Sequence, residues 1–280
     1  MIENDPAVKR IIQLAIEEDL GSGDLTTDAI VSPRVKGKAT LVAREELILA
    51  GLPVFKMVFF TISPEIETDE YYRDGDIVPA GKSVCVLKGP LSSILKGERT
   101  ALNFLQRMSG IATLTRQYVQ KAGFSKVKVL DTRKTVPGLR VLDKYAVRTG
   151  GGFNHRFGLF DAVLIKDNHI AVAGSITRAV QLAKENTPPT VKVEVEVEDL
   201  EGVEDAVRTG VDTILLDNMQ PEEIKKAVEL VKGRAVLEAS GGINLDNIED
   251  MAKTGVDFIS IGALTHSARA VDFSLEIIPG

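Results

Sequence analysis

The chain has 280 residues, 44% hydrophobic and 26% charged, with a formal net charge of -6. That length suits one large barrel, or a barrel plus a smaller domain, and the composition is that of an ordinary globular protein. An acidic chain with no basic block argues against nucleic acid and anionic membranes as partners, a lone Cys85 excludes an intrachain disulfide or cysteine zinc cluster, and no apolar run approaches the roughly 20 residues of a membrane span.

The acidic start, Ile2-Glu3-Asn4-Asp5, lacks an apolar signal core, so a reducing cytoplasm is the expected location. Val8, Ile11, Ile12, Ala15 and Ile16 form one helical stripe between Pro6 and Asp19, which Gly21-Ser22-Gly23-Asp24 interrupts. From Lys36 to about Lys88 the signals are mostly β: Ala39–Ala43, Ile66–Thr68 and Val84–Leu87 read as strands, the last holding Cys85 as a small buried residue. A short helix opens at Gly51-Leu52-Pro53 and runs to Phe60, and Asp74-Gly75-Asp76 and Pro79-Ala80-Gly81 read as turns. Leu91 to Tyr118 is amphipathic, with two helices expected to meet near Ser109-Gly110.

After Lys126 apolar runs alternate with helical patterns. The expected strands are Val127–Asp131, Ala162–Lys166, Val191–Val197, Thr213–Asp217, Ala235–Ala239 and Phe258–Ile261. The helices between them are Thr177–Glu185, Leu200–Thr209, Pro221–Val231 and Leu245–Thr254. The last four strands recur about every 20–25 residues, the rhythm of βα units on a parallel barrel. Thr209-Gly210-Val211-Asp212 and Thr254-Gly255-Val256-Asp257 are near-identical helix-to-strand turns, with Gly expected just past each helix. Six strands are two fewer than a closed eight-stranded barrel needs. The domain boundary is expected near Gly110, giving residues 1–110 and 111–280; the N-terminal helix can cross to either part, and the C-terminal tail can return to the first.

Strand C-termini form the active face of such a barrel. There the chain offers Arg133 and Lys134, then Lys166 with Asn168 and His169, then Glu194 and Glu196, then Asp217-Asn218, then Ser240-Gly241-Gly242, and finally Gly262. Arg and Lys converging here in an acidic chain point to an anionic substrate carrying carboxylates or phosphates. The Ser240-Gly241-Gly242 and Gly262 turns suit a phosphate, because glycine lets backbone N–H groups approach its oxygens; alternatively they only close tight turns. Alternation places Glu194 and Glu196 on one face of their strand. Glu196 and Asp217 could hold Mg²⁺, bind sugar hydroxyls or stabilise a developing cation, or could form structural ion pairs; for the Glu194/Glu196 face, Lys166 and Lys134 are suitable partners. His155 precedes Arg156 after Gly150-Gly151-Gly152, a loop over a ligand, whereas His169 and His266 read as structural. Lys166 could also serve as a Schiff-base lysine, and Arg99 alone reads as a solvated helix residue.

Together, Glu98–Asn103, Asp131–Arg140, His155-Arg156, Leu164–His169, Glu194/Glu196, Leu216–Asn218, Glu238–Ile243 and Leu264–Ser267 resemble the quinolinate phosphoribosyltransferases. The resemblance runs in order from Gly23–Thr27 to Asp272–Ser274; Val136, where many members carry threonine, is a small departure that touches no charged group. It implies an α/β protein with an N-terminal α/β sandwich domain and a C-terminal incomplete α/β barrel. It implies a transferase that joins quinolinate to phosphoribosyl pyrophosphate with Mg²⁺, giving nicotinate mononucleotide, pyrophosphate and CO₂ in de novo NAD biosynthesis. By resemblance, Arg99, Arg133, His155 and Arg156 bind the diacid's carboxylates, and Lys134 and Lys166 neutralise pyrophosphate and one carboxylate. Glu196 and Asp217 take ribose hydroxyls or the metal, and Ser240, Gly241, Gly242 and Gly262 take the 5′-phosphate. The implied unit is a homodimer, with Arg99 donated across the interface. Rival readings are a paralogue acting on nicotinate, the related molybdenum-system protein, a phosphate-binding barrel lyase or isomerase using Lys166 covalently, and a non-catalytic binder.

Overall fold

A computed structural model describes residues 2–123 and 126–279; Met1, Phe124, Ser125 and Gly280 lie outside the described residues. In chain order the first elements are α1 (Pro6–Leu20), α2 (Leu25–Ile30), β1 (Lys36–Ala43), β2 (Leu47–Ile48), α3 (Leu52–Ile62), β3 (Glu67–Glu70), β4 (Ile77–Val78), β5 (Ser83–Pro90) and α4 (Leu91–Lys121). There follow β6 (Lys128–Leu130), α5 (Arg140–Thr149), β7 (Val163–Ile165), α6 (Asp167–Ala173), α7 (Ile176–Asn186), β8 (Val193–Val197) and α8 (Leu200–Arg208). The rest are β9 (Thr213–Asp217), α9 (Pro221–Val231), β10 (Val236–Ser240), α10 (Ile248–Ala252), β11 (Phe258–Ser260), α11 (Ala263–His266) and β12 (Phe273–Pro279). No helix among the described residues is long and apolar enough to cross a membrane.

The chain divides into two units. Unit 1 comprises Met1–Arg116, Thr135–Gly151 and Thr265–Gly280; unit 2 comprises Gln117–Lys134 and Gly152–Leu264. Unit 1 is built on an antiparallel sheet in the order β12-β1-β5-β3, with β12 pairing from Gly37↔Pro279 to Ala43↔Phe273. Its helices start on side-chain caps. Asp5 accepts from Ala7 N at 2.8 Å ahead of Pro6, which suits the first helical position because proline has no N–H to leave unpaired. Asp74, in the turn before β4, caps α3 from a distance by accepting from Gly51 N (2.8 Å) and Leu52 N (3.0 Å), and takes a further hydrogen bond from the Tyr145 hydroxyl. The core buries Leu41, Leu52, Phe55, Phe59, Leu87 and Leu105, with the Phe55 and Phe59 rings edge to face at 5.0 Å.

The sequence pattern suggested a break near Ser109-Gly110, yet α4 is one helix of 31 residues. Both residues have other work. The buried Ser109 hydroxyl accepts from Ala50 N and donates to Ala50 O. A Cβ on Gly110 would lie 2.0 Å from the Arg269 carbonyl oxygen, so the glycine admits a crossing backbone rather than ending the helix. A buried ion pair also ties unit 1 together. Arg107 donates to both oxygens of the fully buried Asp143 (2.9 and 2.8 Å) and to the Thr265 carbonyl (3.2 Å), and Asp143 accepts from Val136 N.

Unit 2 is an open α/β barrel. Its six strands are all parallel, in the order β6-β11-β10-β9-β8-β7, and they coincide with the six apolar runs of the sequence. At the free edge of β6, Phe153 adds one parallel rung: its N–H donates to Val129 O and its carbonyl accepts from Asp131 N. The repeated Thr-Gly-Val-Asp turns share one geometry. Gly210 and Gly255 have positive φ, and each aspartate caps a neighbouring strand, Asp212 accepting from Val193 N (2.8 Å) and Asp257 from Leu237 N (2.9 Å).

Candidate active site

The strand C-termini of unit 2 carry the expected residues. Asp131, just past β6, is fully buried and accepts from His155 N at 2.9 Å, so the Phe153 rung fixes where His155 and Arg156 emerge. Arg133 and Lys134 follow on exposed chain, where Lys134 N donates to the Thr132 hydroxyl. The Arg156 guanidinium donates to the Ala162 carbonyl at 3.1 Å. Asp161 closes the intervening loop by accepting from Phe157 N (2.6 Å) and Gly158 N (2.8 Å). Burial, and then the positive charge of Arg133, depress the Arg156 pKa. Two mutually repelling guanidinium groups at one strand end favour an anion between them.

Lys166 follows β7 directly and is the N-cap residue of α6. Its ammonium pairs with the Glu196 carboxylate from β8, and its backbone N–H donates to His169 Nδ1 at 2.9 Å. His169 is therefore a capping residue, and His266 bonds the Ser267 hydroxyl within unit 1. Of the two lysines expected to pair with the β8 carboxylates, Lys166 does so with Glu196. Glu194, expected on the same face, turns to His155, with Oε2 3.1 Å from Nε2.

Asp217 ends β9 and accepts from Asn218 Nδ2 at 2.8 Å. Asn218 has φ 55° and donates its N–H to Ser240 O, interlocking the β9 and β10 ends. Gly241 has φ 88°, and a Cβ there would lie 2.3 Å from Asn218 Oδ1; only glycine fits. Ser240, Gly241 and Gly242 thus present backbone at the sheet's C-terminal edge, with Gly262 just past the neighbouring β11. Arg99 lies in unit 1, exposed on α4.

Three groups were not singled out from sequence. Asp131 and Glu238 look like members of strands, and nothing local marks them as polar interior. Asp143 lies just beyond the Asp131–Arg140 segment, and its buried pairing with Arg107 joins positions distant in sequence. Glu238 is 1% exposed, its Oε1 lies 3.6 Å from His155 Nε2, and it hydrogen-bonds Ser260. Burial, then the Glu194 charge, push it up to about 7, against the pull of His155 and Ser260.

Hard carboxylate donors at the adjacent β8 and β9 ends suit Mg²⁺, which takes one or two carboxylates and fills its remaining positions with water and phosphate oxygens. Glu196 and Asp217 meet that description, each held by a neighbour, Lys166 and Asn218.

The sequence matches the quinolinate phosphoribosyl transferase N-terminal domain over residues 24–109 and the C-terminal domain over residues 111–276. It is 41% identical over 274 residues to a probable carboxylating nicotinate-nucleotide pyrophosphorylase of Bacillus subtilis, covering 98% of this chain and 94% of that one. The counterpart in Methanocaldococcus jannaschii is 44% identical, with 96% of each covered. The crystal structure of NadC from Streptococcus pyogenes superposes with a TM-score of 0.95 at 43% identity, covering 98% of this chain and 97% of that one.

Proposed function

This chain belongs to the quinolinate phosphoribosyltransferase family, and on that premise we propose how its residues carry out the reaction. The enzyme transfers phosphoribosyl from phosphoribosyl pyrophosphate to quinolinate with decarboxylation, giving nicotinate mononucleotide, pyrophosphate and CO₂ in de novo NAD biosynthesis.

The observation that carries the assignment of roles is the charge pattern at the strand ends. Arg133 and Arg156 repel one another at one side, while the Lys166–Glu196 pair and Asp217 lie on the neighbouring strands β7, β8 and β9. The guanidinium forks of Arg133 and Arg156 take the diacid's carboxylates; His155, expected from sequence to bind them as well, instead has Nε2 toward Glu194 and Nδ1 accepting from Arg156 N, and so orders the turn that carries Arg156. Lys166 meets the carboxylate nearer the sugar, and Lys134 neutralises the departing pyrophosphate. The Ser240–Gly242 turn and Gly262 hold the 5′-phosphate through backbone N–H groups.

The pyridine nitrogen attacks the ribose C1 and the bond to pyrophosphate breaks. Glu196 and Asp217 stabilise the positive charge on the sugar ring and bind its hydroxyls. The product ring is a pyridinium. Its charge accepts the electron pair left when the adjacent carboxylate departs as CO₂, and a proton from water then takes that position. No protein nucleophile is needed; positioning and electrostatics suffice. Glu196 and Asp217 would hold Mg²⁺, which supplies charge neutralisation of pyrophosphate.

The active unit is a homodimer in the cytoplasm, in which the exposed Arg99 completes the partner's diacid site. A buried free thiol at Cys85 agrees with a reducing compartment.

The test is pyrophosphate release with quinolinate and phosphoribosyl pyrophosphate plus Mg²⁺, run beside nicotinate. Release and nicotinate mononucleotide with quinolinate alone are expected; release with nicotinate alone would move the substrate to the mono-acid. Chelation should abolish turnover, and Mg²⁺ should restore it. Arg99→Ala and Lys134→Ala should each be inactive, yet regain activity when their subunits are exchanged. No recovery after verified exchange refutes the shared site.

A further inference from the structure

Glu238 is not used by any step above, although it is the most deeply buried carboxylate near the strand C-termini of unit 2 apart from Asp131. It lies on β10 and Glu194 lies on β8, with β9 between them, yet both reach His155 Nε2. Glu194 Oε1 and Glu238 Oε1 are buried without a hydrogen-bond partner. On the other side of the ring, His155 Nδ1 accepts from Arg156 N at 2.7 Å. A ring nitrogen that accepts cannot carry the proton, so the neutral imidazole bears it on Nε2, facing the two carboxylates. His155, Glu194 and Glu238 bring ligand-type atoms within 4.8 Å of one another, but a protonated Nε2 has no lone pair to offer a metal.

We propose that Glu238 is a positioning residue for the pyridine diacid: together with Glu194 it fixes the His155 ring, and through Nδ1 that ring sets the turn carrying Arg156. This rests on the diacid reading above. One oxygen each of Glu194 and Glu238 and the ring nitrogen lie within 4.8 Å of one another, so the ring is held from two strands, by Glu194 at 3.1 Å from Nε2 and by Glu238 at 3.6 Å. The charged groups around Glu238 are Glu194 from β8 and His155, with Arg156 and then Arg133 beyond Glu194.

The experiment uses the intact enzyme and two variants that preserve volume. Glu238→Met removes the polar end and should raise the quinolinate KM about tenfold, leaving kcat and the phosphoribosyl pyrophosphate KM within about twofold. Glu238→Gln keeps an oxygen beside His155 Nε2 and should bring the quinolinate KM back to within about threefold of wild type. An unchanged quinolinate KM in Glu238→Met, an equal rise in both KM values, or a Gln variant as impaired as the Met variant overturns the proposal. ¹⁵N spectra of histidine-labelled enzyme give a second readout, with His155 assigned by its loss in His155→Asn. An Nε2–H ring is expected in wild type and Glu238→Gln; an Nδ1–H ring overturns the proposal, even where Glu238→Met does not fold. Absent turnover of quinolinate by wild type would strike the diacid reading instead, and the spectra would still judge the ring contact.

Discussion

Breaking the Arg107–Asp143 pair from its two sides should give unequal losses. Asp143 is fully buried, whereas a quarter of the Arg107 side chain is exposed. Arg107→Met strips the carboxylate of two charge-assisted hydrogen bonds and leaves it buried with the Val136 N–H at 3.2 Å. An uncompensated buried charge costs about 3–5 kcal/mol. Asp143→Asn retains an acceptor for Val136 and leaves Arg107 able to reach water, so the loss should be about 1–2 kcal/mol. At roughly 3 °C per kcal/mol for a unit of about 150 residues, the expected falls in Tm are about 9–15 °C for Arg107→Met and about 3–6 °C for Asp143→Asn. Calorimetry of the two variants beside wild type measures both. Equal losses, or a larger loss from Asp143→Asn, would refute the argument that burial asymmetry governs the pair.

Three further outcomes follow from the geometry. Gly110→Ala places a methyl 2.0 Å from the Arg269 carbonyl and should destabilise by about 2–4 kcal/mol, read as a lower urea midpoint, whereas Gly123→Ala, which meets nothing within 4 Å, should cost only about 1 kcal/mol for its positive φ. Burial, and then the charge of Glu70, push the Cys85 thiol up to about 12, so a thiol reagent at pH 8 should label native protein only at the rate of unfolding; prompt labelling would contradict the burial. The Glu238 pKa is raised from 4.5 to about 7 in the folded chain, so between those values the folded state holds a proton that the unfolded state has released. Stability from this group therefore falls as pH rises from about 4.5 to 7, and Glu238→Gln should flatten that fall in urea midpoints measured at pH 5 and 7.5.

All six barrel strands were legible, because a parallel strand buried on both faces reads as an apolar run bounded by turn residues. The strand-end cations were legible for a different reason: Lys134, Arg156 and Lys166 are conspicuous in an acidic chain. The misread elements share a cause. Gly110 resembles a helix breaker until the Arg269 backbone is seen crossing it, and that contact joins positions distant in sequence. α5 was hidden because Arg140 and its neighbours looked like substrate-binding chain, while its buried face, Leu142, Ala146 and Val147, is short. Glu238 shows the same limit. It stands in an apolar strand, and the partners that give it meaning come from β8 and from the loop before β7.

The pairing of β1 with β12 has a consequence during synthesis. Ala43 and its partner Phe273 are about 230 residues apart, an interval that includes the whole of unit 2 and that a ribosome adding 5–20 residues per second needs roughly 10–50 s to make. Once β5 has been made, and until β12 follows, β1 has β5 on one side and an open edge on the other, the kind of edge that invites pairing with another nascent chain. The N-terminal sheet is thus begun first and finished last, and this window is where a holding chaperone would find its substrate.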